Sequence, residues 1–366
     1  MKKIVFLLFI FVASINVKAT HLMGGEITWE CIKIGPDAGK YIFNVKVYNF
    51  LSFSEEEKRF RVSQDPTLND LEQAIDSGIG FLATGILGFG GGSPMDVAKL
   101  TALVLGLGEK IESIWGVNKV KGPRLPLILV PTTAGTGSEV TPVSIITVEN
   151  REKRGVSSAV IIPDLAILDP SLTMDLPPAI TATTGIDAMV HAIEAFTSKN
   201  QNNNLLSQNL AVEALALLGN SIVTAVKSLK SDRVSRSNML YGSMLAGISF
   251  ANSPVAGVHA LAYPLGGKYK VSHGLSNALL LPHLIRFNMH VPATKEAYGK
   301  LAGIIFPVLE NIDDLDQRVK SFAEEFITLS KHLIKKVINT ILVRIGICRI
   351  SYSKQSTVES IWIFKI

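Results

Sequence analysis

The sequence predicts an α/β protein part followed by an all-helical part. Before residue 170, apolar runs end in small or hydroxyl residues, as in "TGILGFGGGS" and "LPLILVPTTAGTGSE". The first of these runs leads into a helical pattern, and such strand–turn–helix alternation is typical of a parallel, doubly wound sheet. From Pro177 onward, long helical patterns replace the strand patterns. The fold class predicted is therefore α/β plus all-α.

Length and composition describe a large globular chain. Its 366 residues are enough for two domains, and 47% hydrophobic with 18% charged residues can bury a large core. Seven basic residues and one acid lie between Lys331 and Lys365, so this end supplies the net charge of +5. The rest is close to neutral, which excludes a basic nucleic-acid binder. Cys31 and Cys348 are too far apart in the sequence to suggest a metal pair.

The N-terminal residues have the layout of a secretory signal peptide. In "MKKIVFLLFIFVASINVKAT", two lysines precede an apolar run, and small residues follow near Ala19. We therefore expect residues 1–19 to direct export to the periplasm or the medium. The apolar run is too short to span a bilayer, and no longer one follows, so no membrane span is predicted.

Four segments follow the signal peptide. Residues 20–60 alternate in the manner of β-strands, at Glu26–Glu30 and in "KYIFNVKVYNF". Residues 61–175 form the α/β part and residues 176–330 the helical part, with residues 331–366 as a tail whose "VINTILVRIGICRI" alternates like a strand. The helical patterns cover residues 178–198, 205–228, 234–251, 255–263 and 274–290, and Pro264 is expected to end the fourth.

Two glycine-containing loops each follow a predicted strand. "GFGGGSPMD" departs from the G-x-G-x-x-G pattern at Ser93, but its bare backbone and the following helix N-terminus suit a phosphate. A tight strand-to-helix turn is the alternative. "PTTAGTGSE", at 131–139, follows the second strand. Loops at the carboxyl ends of neighbouring parallel strands form one crevice, which favours a nucleotide ligand.

A carboxylate and three imidazoles form a candidate metal site. In "GIDAMVHAIEAF", Asp187 and His191 are four residues apart and share one helix face. His259 lies before Pro264, and His273 begins the next helical pattern. Three nitrogens and one oxygen suit a single iron, zinc or nickel ion. The alternative is two unrelated polar pairs within the core.

These motifs, in this order, resemble the iron-containing (group III) alcohol dehydrogenases over about residues 62–290. The matching stretches are "GFGGGSPMDVAK", "PTTAGTGSEVTPVSIIT", "PDLAILDPSLTMDLPP", "TGIDAMVHAIEAFTS" and "GVHALAYPLGGKYKVSHGLSNALLLPH". The resemblance implies that the metal ligands are Asp187, His191, His259 and His273. It implies a nicotinamide cleft lined by Gly91, Gly92, Ser93, Asp96, Thr132, Thr133, Thr136 and Lys153.

The resemblance also implies a fold and an activity. The fold would be a truncated Rossmann-like nucleotide domain followed by a helical metal-binding domain, the architecture shared with dehydroquinate synthase. The activity would be metal-dependent hydride transfer between a primary or small alcohol and NAD or NADP, with iron as the expected metal. Tyr263 stands where family members often carry a histidine, and we expect it to be the catalytic proton relay, since a phenol can still relay a proton, although less readily near neutral pH. His283 and His290 match no ligand.

The resemblance stops before both ends of the chain. We therefore expect a fusion, in which an unrelated leader and an aberrant tail flank an enzyme impaired by truncation. Two alternatives stay open: an exported β-rich surface-protein fragment fused to an inactive enzyme body, and a glycerol dehydrogenase-like enzyme. Asp187-x-x-x-His191 together with "PTTAGTGSE" favours the alcohol dehydrogenase branch. The sequence does not distinguish NAD from NADP, and it leaves a homo-oligomer open.

Overall fold

A computed structural model describes residues 25–31, 41–47, 61–63, 65–108, 110–149, 152–228, 232–269 and 271–344. The predicted signal peptide and the tail beyond residue 344 lie outside these residues and stay predictions. The chain divides into two compact units, residues 1–60 and 61–366. The domain boundary near residue 175 also stays a prediction.

The first unit contains the two strands that its alternating sequence predicts. β1 is Gly25–Cys31 and β2 is Tyr41–Val47. They pair antiparallel, with Gly25 opposite Val47 and Cys31 opposite Tyr41.

The second unit begins with strands and helices in alternation and continues with helices. Its elements are α1 Leu68–Gly80, β3 Ile86–Gly90, α2 Gly92–Leu107, β4 Gly116–Val117, β5 Leu127–Pro131, β6 Val143–Thr147, β7 Lys153–Ser157, β8 Leu165–Ala166, α3 Pro178–Thr197, α4 Leu205–Lys227, α5 Arg233–Asn252, α6 Gly257–Tyr269, α7 His273–Asn288, α8 Pro292–Ile305 and α9 Leu315–Arg344. Short 3₁₀ turns connect several of them.

A parallel sheet of order β3-β5-β8 carries the two glycine-containing loops. Gly90, the last residue of β3, pairs with Pro131, the last residue of β5. Because both strands end at the same edge of the sheet, the loops that follow them start side by side. The third predicted strand, in "AVIIPDLAILDP", is reduced to the two residues of β8, since Ala159–Ile161 form a 3₁₀ turn.

A second sheet, of order β4-β7-β6, was not predicted. β4 and β7 are parallel, whereas β6 and β7 form an antiparallel hairpin with Val143 opposite Ser157. The β6 sequence "VSIIT" is rich in β-branched residues, which favour strands, and its residues alternate between buried and partly exposed positions. The hairpin therefore adds a mixed sheet to the parallel one.

Two sequence predictions about the helices are wrong. Pro264 lies inside α6 and does not end it. Proline lacks the amide that would bond to the carbonyl of residue i−4, yet a helix can continue past it at a cost of about 3 kcal/mol. The strand-like part of the tail at 337–344 belongs to α9, which has a non-helical residue at Ile334. Alternation over so short an apolar run does not separate a strand from a helix.

Helix α3 runs through the core of the helical part. Ile186, Met189, Val190 and Ile193 are at most 1% exposed. α3 packs against α4, α5 and α7. Any polar side chain on the buried length of this helix therefore needs a partner inside the protein.

One helix in the described part of the chain, α4, is long and apolar enough to cross a membrane by length and composition alone. It packs against α3 and α5, and core helices of soluble proteins pass the same test.

Candidate functional site

Four side chains from three helices converge. Asp187 and His191 come from α3, His259 from α6, and His273 is the first residue of α7. One ligand atom from each lies within 4.8 Å of all the others. Asp187 Oδ1 lies 3.8 Å from His259 Nε2 and 3.7 Å from His273 Nε2. The structure therefore brings all four predicted ligands together.

The cluster is buried on one side and open on the other. Asp187, His191 and His259 are at most 6% exposed, whereas the His273 side chain is 43% exposed. The ring of His191 stacks between those of Phe250 and His259, at 4.6 Å from each. A small molecule can thus approach the cluster from the side of His273.

Hydrogen bonds on the far side of two imidazoles define their tautomers. His259 Nδ1 lies 2.6 Å from Glu194 Oε2, and His191 Nδ1 lies 3.1 Å from the carbonyl oxygen of Gly135. A carboxylate and a carbonyl only accept, so each Nδ1 carries the proton and donates it. Each Nε2 keeps its lone pair for the cluster, as a metal-binding histidine requires.

Glu194 is a functional residue whose role the sequence did not predict. Its carboxylate also accepts from the amides of Ala256, at 3.0 Å, and Val258, at 2.7 Å. Burial would raise the pKa of Glu194, but the bond from His259 and these amides together lower it. Glu194 follows Asp187 by seven residues and His191 by three, so the shared helix face was the available signal.

Electrostatics favour the neutral form of His191 and His273 and the charged form of Asp187. Burial lowers the pKa of His191 to about 4, and it also lowers the pKa of His273. Burial would raise the pKa of Asp187, but the three imidazoles and Asn277 outweigh it and lower that pKa. Three imidazole nitrogens and one carboxylate suit a borderline divalent cation such as iron, zinc or nickel. The donor set therefore fits the predicted metal.

The two loops touch each other beside the sheet. The amide of Thr132 donates to the carbonyl of Gly90 at 2.8 Å. A Cβ on Gly91 would lie 3.3 Å from Thr133 Oγ1, and one on Gly92 would lie 2.9 Å from Thr136 Cγ2. The two glycines therefore let the second loop pack against the start of α2, where their backbone forms a cradle without side chains. A helix N-terminus of this kind suits an anionic phosphate, and binding of a cofactor phosphate here stays a prediction.

Asp96 ties the first loop to the second sheet. Its Oδ1 accepts from Ser138 Oγ at 2.7 Å and its Oδ2 from the amide of Ile145 at 2.9 Å. Burial raises the pKa of Asp96, although the nearby Lys99 opposes this effect. Both carboxylate oxygens thus have protein partners, and a direct contact of Asp96 with a cofactor stays a prediction.

The Lys99 side chain also links α2 to the residues that follow the second loop. Its side chain is fully buried, and Nζ donates to Ser138 Oγ at 2.9 Å, to the carbonyl of Thr141 at 2.9 Å and to that of Val143 at 2.8 Å. No sequence motif predicts a role for Lys99. Its contacts link α2 to the loop at 131–139.

The other residues named from the sequence lie at separate places in the second unit. Lys153 Nζ pairs with Asp65 Oδ1 at 3.0 Å. The ring of Tyr263 lies 6.1 Å from that of His273, and burial raises the pKa of its phenol. Ser93 lies in the first turn of α2. His283 and His290 are exposed and lie outside the four-residue cluster.

Gly135 connects the two halves of the site. It belongs to the loop at 131–139, and its carbonyl accepts from His191, a member of the cluster. The loop at 131–139 therefore contacts the candidate metal site directly. Metal ligands beside a nucleotide-type loop define a class of metal-dependent enzyme that uses a nucleotide cofactor.

Comparison with known proteins identifies the family. The family model described as iron-containing alcohol dehydrogenase matches residues 54–170, and that of the C-terminal part of the Fe-containing alcohol dehydrogenase family matches residues 181–347. The alcohol dehydrogenase from Oenococcus oeni has a solved structure with a TM-score of 0.71 and 30% identity, covering 78% of this chain and 76% of that one. The chain belongs to the iron-containing alcohol dehydrogenase family.

Two further relatives show the extent of the likeness. Long-chain-alcohol dehydrogenase 1 of Geobacillus thermodenitrificans is 45% identical over 205 residues, which is 55% of this chain and 51% of that protein. Sulfoacetaldehyde reductase from Bifidobacterium kashiwanohense, solved in complex with NAD+, has a TM-score of 0.65 and 28% identity, covering 77% of this chain and 75% of that one. This chain spans about half the length of the first of these relatives.

Proposed function

We propose that this chain is a metal-dependent alcohol dehydrogenase that transfers a hydride between a small or primary alcohol and a nicotinamide cofactor. The observation that carries the proposal is the convergence of Asp187, His191, His259 and His273 beside the loop at 131–139, whose Gly135 carbonyl bonds to His191. Membership of the family supports the same activity.

Each part of the site has a task in this reaction. Asp187 and the three imidazoles would hold the cation, while Glu194 and the carbonyl of Gly135 keep His259 and His191 in the ligating tautomer. A bound divalent cation supplies a Lewis acid for the alcohol oxygen. The open side at His273 admits the alcohol, and Phe250 gives the buried side an apolar wall.

The cofactor would lie along the two glycine loops. The backbone cradle at Gly91 and Gly92 and the N-terminus of α2 would bind its phosphates. Thr132, Thr133 and Thr136, from the neighbouring loop, add hydroxyl groups. A nicotinamide ring accepts the hydride in such reactions. Lys153 and Tyr263 would border the reacting end, since Tyr263 lies beside His273.

The test is an activity and metal assay of the purified chain. The protein is reconstituted with iron, zinc or nickel and assayed with NAD+ and NADP+ against a panel of primary alcohols. We expect alcohol-dependent reduction of the nicotinamide and retention of about one metal ion per chain. His191→Ala should lose both, because it removes a buried nitrogen ligand.

A matched control separates the site from general damage. His283→Ala changes an exposed histidine of α7 outside the cluster and should keep both metal and activity. Unchanged metal content in His191→Ala would overturn the proposed ligand set. Metal binding by the unaltered chain without turnover of any alcohol in the panel would overturn the proposed reaction but not the metal site.

A further inference from the structure

The amide of Asn277 contacts three of the four candidate ligands. Its Nδ2 donates to Asp187 Oδ1 at 2.5 Å and to His259 Nε2 at 3.1 Å, and it lies 3.3 Å from His273 Nε2. Asn277 is fully buried on α7, one turn after His273. Within the described part of the chain, its Oδ1 has no hydrogen-bond partner. The amide NH₂ of Asn277 therefore faces the cluster, while its buried carbonyl oxygen is left without a hydrogen bond among the described residues.

The bond to His259 uses an electron pair that a metal also needs. Because His259 Nδ1 donates its proton to Glu194, Nε2 has one lone pair facing the cluster. That lone pair can accept a hydrogen from Asn277 or bind a cation, but not both. The Asp187 oxygen differs, since a carboxylate oxygen has more than one lone pair and can serve a cation and an amide together.

We propose that Asn277 is a positioning residue that stands in for the cation in the metal-free protein. This inference rests on the proposed metal site. Its amide hydrogens hold the buried carboxylate and at least one imidazole in place, as a positive charge would. A bound cation would occupy the lone pair of His259 Nε2, so Asn277 would keep its bond to Asp187 and lose the one to His259. Asn277 therefore stabilises the metal-free protein more than the loaded one.

An ordinary orienting residue would have the opposite effect on metal affinity. Partners that hold a ligand in place without competing for its lone pair strengthen metal binding, and their loss typically weakens it about 10–100-fold. Removing a stand-in takes hydrogen bonds away from the metal-free protein and fewer from the metal-bound one. The free energy of metal binding therefore becomes more favourable. The sign of the change separates the two roles.

The experiment measures Zn²⁺ affinity by chelator competition, and the melting temperature with and without Zn²⁺, in the full chain. Asn277→Ala should lower the melting temperature of the metal-free protein and bind Zn²⁺ about tenfold more tightly, a change of about 1.4 kcal/mol. The rise in melting temperature on adding Zn²⁺ should be larger than in the unaltered chain. If the alanine variant does not fold, Asn277→Ser serves in its place, because its small polar side chain cannot reach all three ligands. It should also lower the melting temperature of the metal-free protein and raise the Zn²⁺ affinity.

Ser276→Ala is the matched control, because Ser276 is equally buried on the same helix and its hydroxyl donates to the carbonyl of Ser272, with no contact to the four ligands among the described residues. It should keep the Zn²⁺ affinity of the unaltered chain. Unchanged or weaker Zn²⁺ binding in both Asn277 variants would overturn the inference while leaving the metal site intact. Failure of the unaltered chain to bind Zn²⁺, Fe²⁺ or Ni²⁺ would instead overturn the proposed function.

Discussion

The ring of His259 and the carboxylate of Glu194 are joined by a hydrogen bond of 2.6 Å between Nδ1 and Oε2. The bond links α6, which carries one candidate ligand, to α3, which carries two others. Glu194 also accepts two amides at the start of α6. One carboxylate therefore sets the tautomer of a ligand and anchors the helix that bears it.

The first prediction follows from this pair. Glu194→Gln replaces a charged acceptor with a neutral amide, so His259 loses the partner that favours Nδ1 protonation and increases the basicity of Nε2. We expect Zn²⁺ affinity to fall about 10–100-fold, as measured by chelator competition. Glu213→Gln, an exposed change on α4, should have no effect. An affinity equal to that of the unaltered chain would show that the bond to Glu194 is not needed for metal binding.

The sequence predicts the ligands better than it predicts their supports. The spacing of Asp187 and His191 on one helix, together with the family motif, identified residues that the structure brings together. The supports come from distant parts of the chain: Gly135 lies 56 positions from His191, and Asn277 lies 90 positions from Asp187. The spacing of residues within one helix or strand does not predict such contacts, because they depend on how distant elements pack together.

The fold shows the same division. Strands β3 and β5 and most helix bounds follow from apolar patterns that are local to each element. The pairing of β6 with β7 and the passage of α6 through Pro264 depend on contacts with neighbouring elements, which a local pattern does not reveal. Tertiary packing overrides propensity at such places.

The second prediction concerns Gly135. A Cβ there would lie 2.7 Å from Thr184 Cβ and 3.0 Å from the Thr184 carbonyl, so Gly135→Ala pushes the loop away from α3. Because the carbonyl of Gly135 accepts from His191, we expect weaker Zn²⁺ binding together with a loss of about 1–3 kcal/mol in unfolding free energy. Gly267→Ala is the control, since its Cβ meets no described atom within 4 Å. Equal behaviour of the two variants would refute the coupling between loop and cluster.

The third prediction concerns pH. Glu139 is 1% exposed, its Oε1 has no partner among the described residues, and burial raises its pKa from 4.5 to about 7. Between these two values the folded chain keeps a proton that the unfolded chain has released. The unfolding free energy therefore falls as pH rises through this window. Glu139→Gln removes this loss and should gain about 2 kcal/mol relative to the unaltered chain between pH 5 and pH 8.

Calorimetric melting at both pH values tests this prediction. Glu112→Gln, an exposed change in the same part of the chain, should show a difference in melting temperature that does not vary with pH. The same constancy in Glu139→Gln would mean that Glu139 ionises in the fold as it does in the unfolded chain.

The last prediction concerns Tyr263, which stands where the family resemblance leads us to expect a histidine. Its ring lies 6.1 Å from that of His273, on the open side of the cluster, and burial raises the pKa of its phenol above 10. A group with so high a pKa exchanges protons poorly near neutral pH, whereas an imidazole titrates there. Tyr263→His should therefore raise kcat for alcohol oxidation at pH 7 by about tenfold, which is below the 10²–10⁴-fold contribution of a well-placed general base. Tyr263→Phe is the control for the prediction at position 263. It keeps the ring but removes the hydroxyl, so it should lower kcat only if the phenol carries the proton. Steady-state assays of both variants from pH 6 to pH 10 measure the two kcat values. A kcat for Tyr263→His that stays at the level of the unaltered chain across that range would show that the proton leaves by a route that does not pass position 263.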